Sequence, residues 1–94
     1  MSEGFAPEDV IRIAPHFQLQ WEEAQQAHVL LYPEGMVQLN ETAAEILTLC
    51  AQGCSAQGIF DACRELYPAD DVEEDVRQFL KGAASNGWIR IERS

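Results

Sequence analysis

The apolar residues change their period at Asn40, and this change limits the possible folds more than any other feature of the chain. Before it, Val37 and Leu39 alternate with other residues, which is the period-2 pattern typical of a strand. After it, apolar residues recur at helical spacing on one face, at Ala43, Ile46, Leu47 and Cys50. Asn40 itself is a favourable N-cap. The sequence therefore predicts a strand at 36–39 that runs directly into a capped helix.

Alternation further upstream predicts an antiparallel meander. Strands are expected at 17–21, 28–32 and 36–39. Polar residues at 22–26 and the run Pro33-Glu34-Gly35 supply two short connections between them. An additional extended segment is expected at 10–13, and it ends before Pro15.

Downstream of Asn40, the 3.6-residue period predicts three helices and a last short strand. The helices are expected at 41–51, at 55–67 and from 70 or 71 to the Asn86-Gly87 pair, and the strand at 88–91. The predicted fold class is α+β: a winged helix-turn-helix-like domain, in which a three-stranded antiparallel meander is followed by three helices and a short C-terminal strand. We expect the helices to pack on one side of a small sheet. We also expect one domain at 10–92, preceded by a flexible N-terminus at 1–9.

The charge balance argues against nucleic acid as a partner. The 94 residues carry a net charge of −10, from 16 acidic and 6 basic side chains. In a winged helix-turn-helix, the third helix would enter the major groove by its N-terminal end. Here that end carries carboxylates, at Asp70, Asp71, Glu73, Glu74 and Asp75. Because a phosphate backbone would repel them, we expect no nucleic-acid binding.

The chain also lacks the features of a membrane or exported protein. No apolar run approaches the ~18 residues that a membrane span needs. Residues 1–9 have neither the basic start nor the apolar stretch of a signal peptide. We therefore expect a cytoplasmic protein that does not contact the membrane.

The residues that carry chemistry form no recognisable catalytic or metal-binding motif. Cys50, Cys54 and Cys63 lack the paired short spacings of zinc ligands, and His16 and His28 have no matching ligand partner. There is no glycine-rich phosphate loop and no nucleophile with a histidine close in sequence. We therefore expect reduced thiols, no metal, no cofactor, no catalytic residues and no enzymatic activity.

The remaining class of function is binding, and the strand at 36–39 is the candidate site. An edge strand presents unpaired N–H and C=O groups to which a guest strand can add. Its residues are Met36, Val37, Gln38 and Leu39, and the third helix would lie opposite with Val76, Phe79 and Leu80. Helical spacing favours an ordinary core role for Val76 and Leu80, and Met36 and Gln38 are the better candidates for exposed contacts. The same edge would permit a homodimer through strand exchange.

Short motifs along the chain resemble the pyrroloquinoline quinone biosynthesis protein D family. They are Arg12, Ala14-Pro15-His16, Leu39-Asn40, Thr42-Ala43-Ala44, Ile46-Leu47, Tyr67-Pro68, Asp75-Val76, Phe79-Leu80 and Gly87-Trp88-Ile89. The resemblance covers residues 10–92, and the run from Leu39 to Leu47 is its most specific part. Gly58 and the polar link around Cys54 depart from the family pattern and suggest a less rigid second helix.

This resemblance implies a peptide-recognition domain, the RiPP recognition element, of winged-helix type. Such a domain binds the ribosomal precursor peptide of the quinone and presents it to a radical S-adenosylmethionine enzyme, which crosslinks a Glu and a Tyr of the peptide. The implied site is the strand at 36–39, with Val76, Phe79 and Leu80 opposite. The surface that faces the enzyme is left open, with Glu41 and Glu45 as candidates.

Two alternatives remain. The chain would bind the finished anionic quinone if Arg12, Arg90 and Arg93 formed a local basic patch, although the overall charge opposes this. It would otherwise be an acidic winged-helix protein-interaction module. The sequence leaves the oligomeric state and the register and affinity of the peptide undetermined.

Overall fold

The computed structural model describes residues 6–68 and 71–93. Along this part of the chain the elements are β1 (Val10–Ile13), β2 (Gln18–Glu22), β3 (Ala27–Tyr32), β4 (Gly35–Gln38), α1 (Glu41–Gln52), β5 (Cys54–Ser55), α2 (Ala56–Leu66), α3 (Val72–Ser85) and β6 (Ile89–Glu92). The predicted meander, the three helices and the last strand are therefore all present. The two-residue strand β5 was not predicted.

The strands form two antiparallel sheets, and the expected single sheet is wrong. The first sheet has the order β5-β1-β6, and the second is the meander β2-β3-β4. In the first sheet Val10 pairs with Glu92 and Ile13 with Ile89. A further backbone hydrogen bond extends this ladder, from the N–H of Ala14 to the carbonyl of Trp88 at 2.8 Å. The segment at 10–13 thus pairs with the end of the chain instead of with the meander.

Helix α1 begins as the sequence predicted. The side chain of Asn40 accepts a hydrogen bond from the N–H of Ala43 at 2.8 Å, which satisfies one of the free donors of the first turn. Gly53 ends the helix with φ at +82°, a conformation that favours glycine. The guanidinium of Arg12 lies close to this glycine, so a Cβ atom here would also displace the end of that side chain.

Close packing also explains Gly58 in the first turns of α2. Its N–H donates to the N-cap hydroxyl of Ser55 at 3.0 Å. A Cβ atom at Gly58 would lie 2.9 Å from the sulfur of Cys54, a distance that real Cβ atoms essentially never show. The side chain of Cys54 therefore occupies the space that a Cβ atom at position 58 would need.

Residues 6–9 are hydrogen-bonded to the rest of the domain. The carbonyls of Pro7 and Asp9 accept from the N–H groups of Gln57 and Ala56 at the start of α2, both at 2.9 Å. Asp9 is only 3% exposed, and its carboxylate accepts a hydrogen bond from Arg93 at 3.3 Å. The predicted flexibility of residues 1–5 lies outside the described part of the chain, as does the carboxylate of Asp70.

The core lies between the three helices and the inner faces of both sheets. Its fully buried large side chains include Ile11, Leu30, Ile46, Leu47, Ile59 and Leu80. Within the described residues, no helix is long and apolar enough to cross a membrane.

Candidate functional site

Strand β4 is an outer strand of the meander, as the proposed binding edge requires. Its inner side pairs with β3, where Val37 lies opposite Leu30 and Gln38 opposite Val29. The N–H of Leu39, the next residue, donates to the carbonyl of His28 at 3.0 Å. Because antiparallel ladders alternate, Val37 also directs its backbone groups to β3, and those of Met36 and Gln38 point outward. Within the described residues, no strand pairs with this outer side.

The side chains of β4 leave this edge accessible. Met36 is 50% exposed and Gln38 is also exposed, whereas Val37 packs partly against the core. Leu39 is 6% exposed and belongs to the core. No residue of β4 carries a charge. Of the four predicted strand residues, Met36 and Gln38 thus offer both side chains and free backbone groups, and Val37 and Leu39 hold the strand in place.

The three residues of α3 that were predicted to face the peptide differ in how far they are buried. Val76 and Leu80 are 0% exposed, so their side chains are core residues and reach no guest in this conformation. They lie on the stripe of α3 that faces inward. Phe79 is only partly buried, and its ring lies 6.4 Å from that of Trp88. Phe79, with Trp88 beside it, is therefore the part of the predicted helix surface that remains available.

A groove of about 370 Å³ lies between the meander and α1, and the sequence did not reveal it. Its lining residues are Trp21, Gln26, Ala27, His28, Leu39, Asn40, Glu41, Ala44, Glu45 and Thr48. They come from β2, the turn that follows it, β3, the residues that follow β4, and α1. Trp21 is 47% exposed, which is unusual for a residue of this size, and the strand pattern of the sequence could not show this exposure.

The three arginines of the alternative quinone site lie at the first sheet. Arg12 and Arg90 are cross-strand partners. Arg12 donates to Glu92 at 2.9 Å, and Arg93 lies 3.3 Å from the carboxylate of Asp9. Since two of the three cations already face carboxylates, this patch offers little net positive charge to an anionic quinone.

The cysteines are suited to packing and not to nucleophilic chemistry. Burial, with smaller contributions from Cys54 and Cys63, raises the pKa of Cys50 to about 12. Burial also raises the pKa values of Cys54 and Cys63, and the charge of Glu45 adds to the effect at Cys63. Thiols that stay protonated near neutral pH are poor nucleophiles and poor metal ligands. Among the described residues, no three His, Cys, Asp or Glu side chains are grouped to hold a metal ion.

Comparison with known proteins identifies the family of this chain. The family model for coenzyme PQQ synthesis protein D (PqqD) matches residues 27–89. The chain is 49% identical to the PqqA binding protein of Methylococcus capsulatus (strain Bath), over 89% of this chain and 90% of that protein. It is 46% identical to the PqqA binding protein of Azotobacter vinelandii, over 88% of this chain and 91% of that protein.

A solved structure is also similar throughout. It is the solution NMR structure of the PqqD truncation of Methylobacterium extorquens PqqCD, described as a functional and stand-alone RiPP recognition element. The TM-score is 0.73 at 28% identity, and the match covers 94% of this chain and 96% of that one. The two sheets and three helices therefore form the small α+β fold of a RiPP recognition element. The chain belongs to the PqqD family, which confirms the resemblance seen in the sequence.

Proposed function

We propose that this protein binds the ribosomal precursor peptide of PQQ biosynthesis, PqqA, by adding it as a strand to β4. The observation that carries the proposal is the outer side of β4, where the backbone groups of Met36 and Gln38 are unpaired within the described residues and no charge protects them. The similarity to proteins named PqqA binding protein supports the same partner.

Backbone pairing alone would bind the peptide weakly. Met36 and Gln38 each present one N–H and one C=O, which together allow four hydrogen bonds. At a net contribution of about 0.5–1.5 kcal/mol each, these would supply roughly 2–6 kcal/mol before the cost of ordering the peptide. A micromolar complex needs about 8 kcal/mol. Side-chain contacts must therefore contribute the remainder, with the partly buried Phe79 as the apolar candidate on α3.

The protein acts in this proposal as a carrier and not as an enzyme. It would present the bound peptide to the radical S-adenosylmethionine enzyme of the pathway, in the cytoplasm. The order of three helices followed by β6 is that of a winged helix-turn-helix. We propose that this protein shares the order of elements with that class but not its binding of DNA. The first turn of α3 carries Glu73, Glu74 and Asp75, which suits its helix dipole and would repel DNA.

A backbone resonance titration tests the site directly. With the PqqA peptide, we expect the largest shifts in the amide signals of Met36 and Gln38 and in the side chains of Phe79 and Trp88. A parallel titration with the finished quinone serves as the control. Saturable shifts around Arg12 and Arg90 with the quinone, together with no response to the peptide, would contradict the proposal. Peptide-induced shifts confined to the β6 edge would place the guest on the other sheet.

The same edge allows a second copy to bind in place of the peptide. If β4 pairs with β4 of another molecule, the peptide must compete with self-association. Sedimentation at increasing protein concentration, with and without peptide, distinguishes the two occupants, because the peptide would then dissociate the dimer.

A further inference from the structure

The groove between the meander and α1 has the composition of a cation-binding site. We propose that it binds a lysine or arginine side chain of the peptide that pairs with β4, an inference that rests on the proposed function. Trp21 and His28 form one wall, and Glu41 and Glu45 line the α1 side. No lysine or arginine of this chain lies among the lining residues.

The two carboxylates lack a countercharge. Glu41 and Glu45 are four residues apart on α1, and both are exposed. Like charges at this spacing on a helix repel each other and slightly destabilise it. In the described part of the chain, neither carboxylate takes part in an ion pair or a side-chain hydrogen bond. Four basic side chains lie beside other carboxylates instead: Arg12, Arg64, Arg77 and Arg93. A cation entering the groove would relieve this repulsion.

The indole of Trp21 is exposed but held in position. Its N–H donates to Glu23 at 3.0 Å, and its ring meets that of His28 edge to face at 5.1 Å. The donor of the indole is therefore already used, and the electron-rich ring surface is what it can offer to a ligand. Cations bind such surfaces favourably, and a positioned ring loses little entropy when it does so.

The position of the groove connects it to the peptide edge. Leu39 and Asn40 line it, and they directly follow β4. A guest strand along Met36 and Gln38 that continues past Asn40 therefore arrives at the mouth of the groove. There the aliphatic stem of a lysine or arginine can pack on apolar surface while its charged end meets the carboxylates.

The experiment compares matched charge variants with matched peptides. Glu41→Gln/Glu45→Gln neutralises the groove, and Glu8→Gln/Glu65→Gln makes the same change in net charge at exposed positions away from it. The probes are the PqqA peptide and the same peptide with every Lys and Arg replaced by Gln. The readouts are affinity, the amide signals of Met36 and Gln38, and the indole N–H signal of Trp21, assigned from Trp21→Phe. Circular dichroism confirms that each variant is folded.

We expect the groove variant to bind PqqA roughly two- to tenfold more weakly, since one or two solvent-exposed ion pairs are lost. The control variant should bind nearly as the natural chain does. The neutralised peptide should still shift Met36 and Gln38, but it should leave Trp21 unshifted and be insensitive to the groove variant.

The inference would be overturned if the neutralised peptide shifted Trp21 as strongly as PqqA does. Equal losses of affinity in the groove and control variants would also overturn it, because they would indicate a general effect of net charge. Failure of the proposed function looks different, since neither peptide would then shift Met36 and Gln38. The proposed cation site would be refuted along with it.

Discussion

One outer strand of each sheet, β6 in the first and β4 in the second, makes an informative pair, because the two differ in surface chemistry. β4 and β6 each have four residues. β6 carries Arg90 and Glu92, and Glu92 is hydrogen-bonded to Arg12 on the neighbouring strand. β4 carries no charge, and Met36 on it is half exposed. Since charges on edge strands discourage the addition of another strand, the comparison indicates that the β6 edge is protected and the β4 edge is left open for a guest.

The sheets also differ in what they do for the fold. The first sheet joins the two ends of the domain, with Val10 paired to Glu92, whereas the meander joins strands that follow one another along the chain. Ile11 in the first sheet is 0% exposed and belongs to the core. The first sheet therefore stabilises the fold by joining its two ends, and the second provides the candidate binding edge at β4. Four predictions test this division, from the largest expected effect to the smallest.

Truncating one side chain in each sheet should have very different effects on stability. Ile11→Ala removes a fully buried side chain and should lower the free energy of unfolding by about 2–5 kcal/mol. Met36→Ala, at a half-exposed position, should lower it by less than about 1 kcal/mol. Urea unfolding of both variants measures the difference. Similar losses would show that β4 is as integral to the fold as β1.

Alkaline pH should destabilise the protein through the thiols beside the first sheet. The pKa of Cys50 is about 12 in the folded protein against an ordinary value of 9.0, so the unfolded chain releases its proton first. The stabilisation is complete below about pH 9 and is lost as the pH rises toward 12, by roughly 4 kcal/mol over three pH units. Urea unfolding at several alkaline pH values measures this slope. Cys50→Ala should reduce the slope, and an unchanged slope would assign it to other groups.

Proline on β4 should weaken peptide binding without unfolding the domain. Gln38→Pro removes an outward N–H and should weaken PqqA binding about fivefold or more, since a lost hydrogen bond and an unsatisfied carbonyl together cost about 1–3 kcal/mol. Gln38→Ala keeps the N–H and should bind nearly as the natural chain does. Calorimetry measures both affinities, and circular dichroism checks the fold. Equal affinity of a folded Gln38→Pro variant would exclude β4 as the pairing edge.

Removing the charges of β6 should make that edge resemble β4. Arg90→Thr/Glu92→Thr leaves the net charge unchanged and breaks the Arg12–Glu92 ion pair, which at an exposed position contributes at most about 1 kcal/mol. We expect a small loss of stability and a new, concentration-dependent association in sedimentation experiments. A variant that stays as monodisperse as the natural chain would show that the charges do not protect this edge.

Local sequence patterns predicted most of the fold, because they reflect contacts between near neighbours. The N-cap at Asn40, the meander and all three helices lie within one or two residues of the expected positions. The division into two sheets was missed for a physical reason. Strand pairing depends on residues as distant as Val10 and Glu92, and the two-residue strand β5 is too short to have a period.

The candidate site was predictable only in part for the same reason. The backbone groups of Met36 and Gln38 point outward because of the register between β3 and β4. The alternating pattern of the sequence predicted both of these strands. Helical spacing identified Val76, Phe79 and Leu80 as one stripe but could not show that two of them are fully buried. The groove at Trp21 combines residues from separate segments, and only the folded chain brings them together.

The pairing of the first strand with the last has a practical consequence. Because Val10 lies beside Glu92, the chain enters and leaves the domain at the first sheet. Strand β4 belongs to the second sheet. A catalytic partner or a label can therefore be tethered to either end and leave the guest strand's path clear. The two ends of the domain can also be linked and the chain reopened in the turn at 23–26, giving a circular permutant that retains β4 and the turn that leads into it.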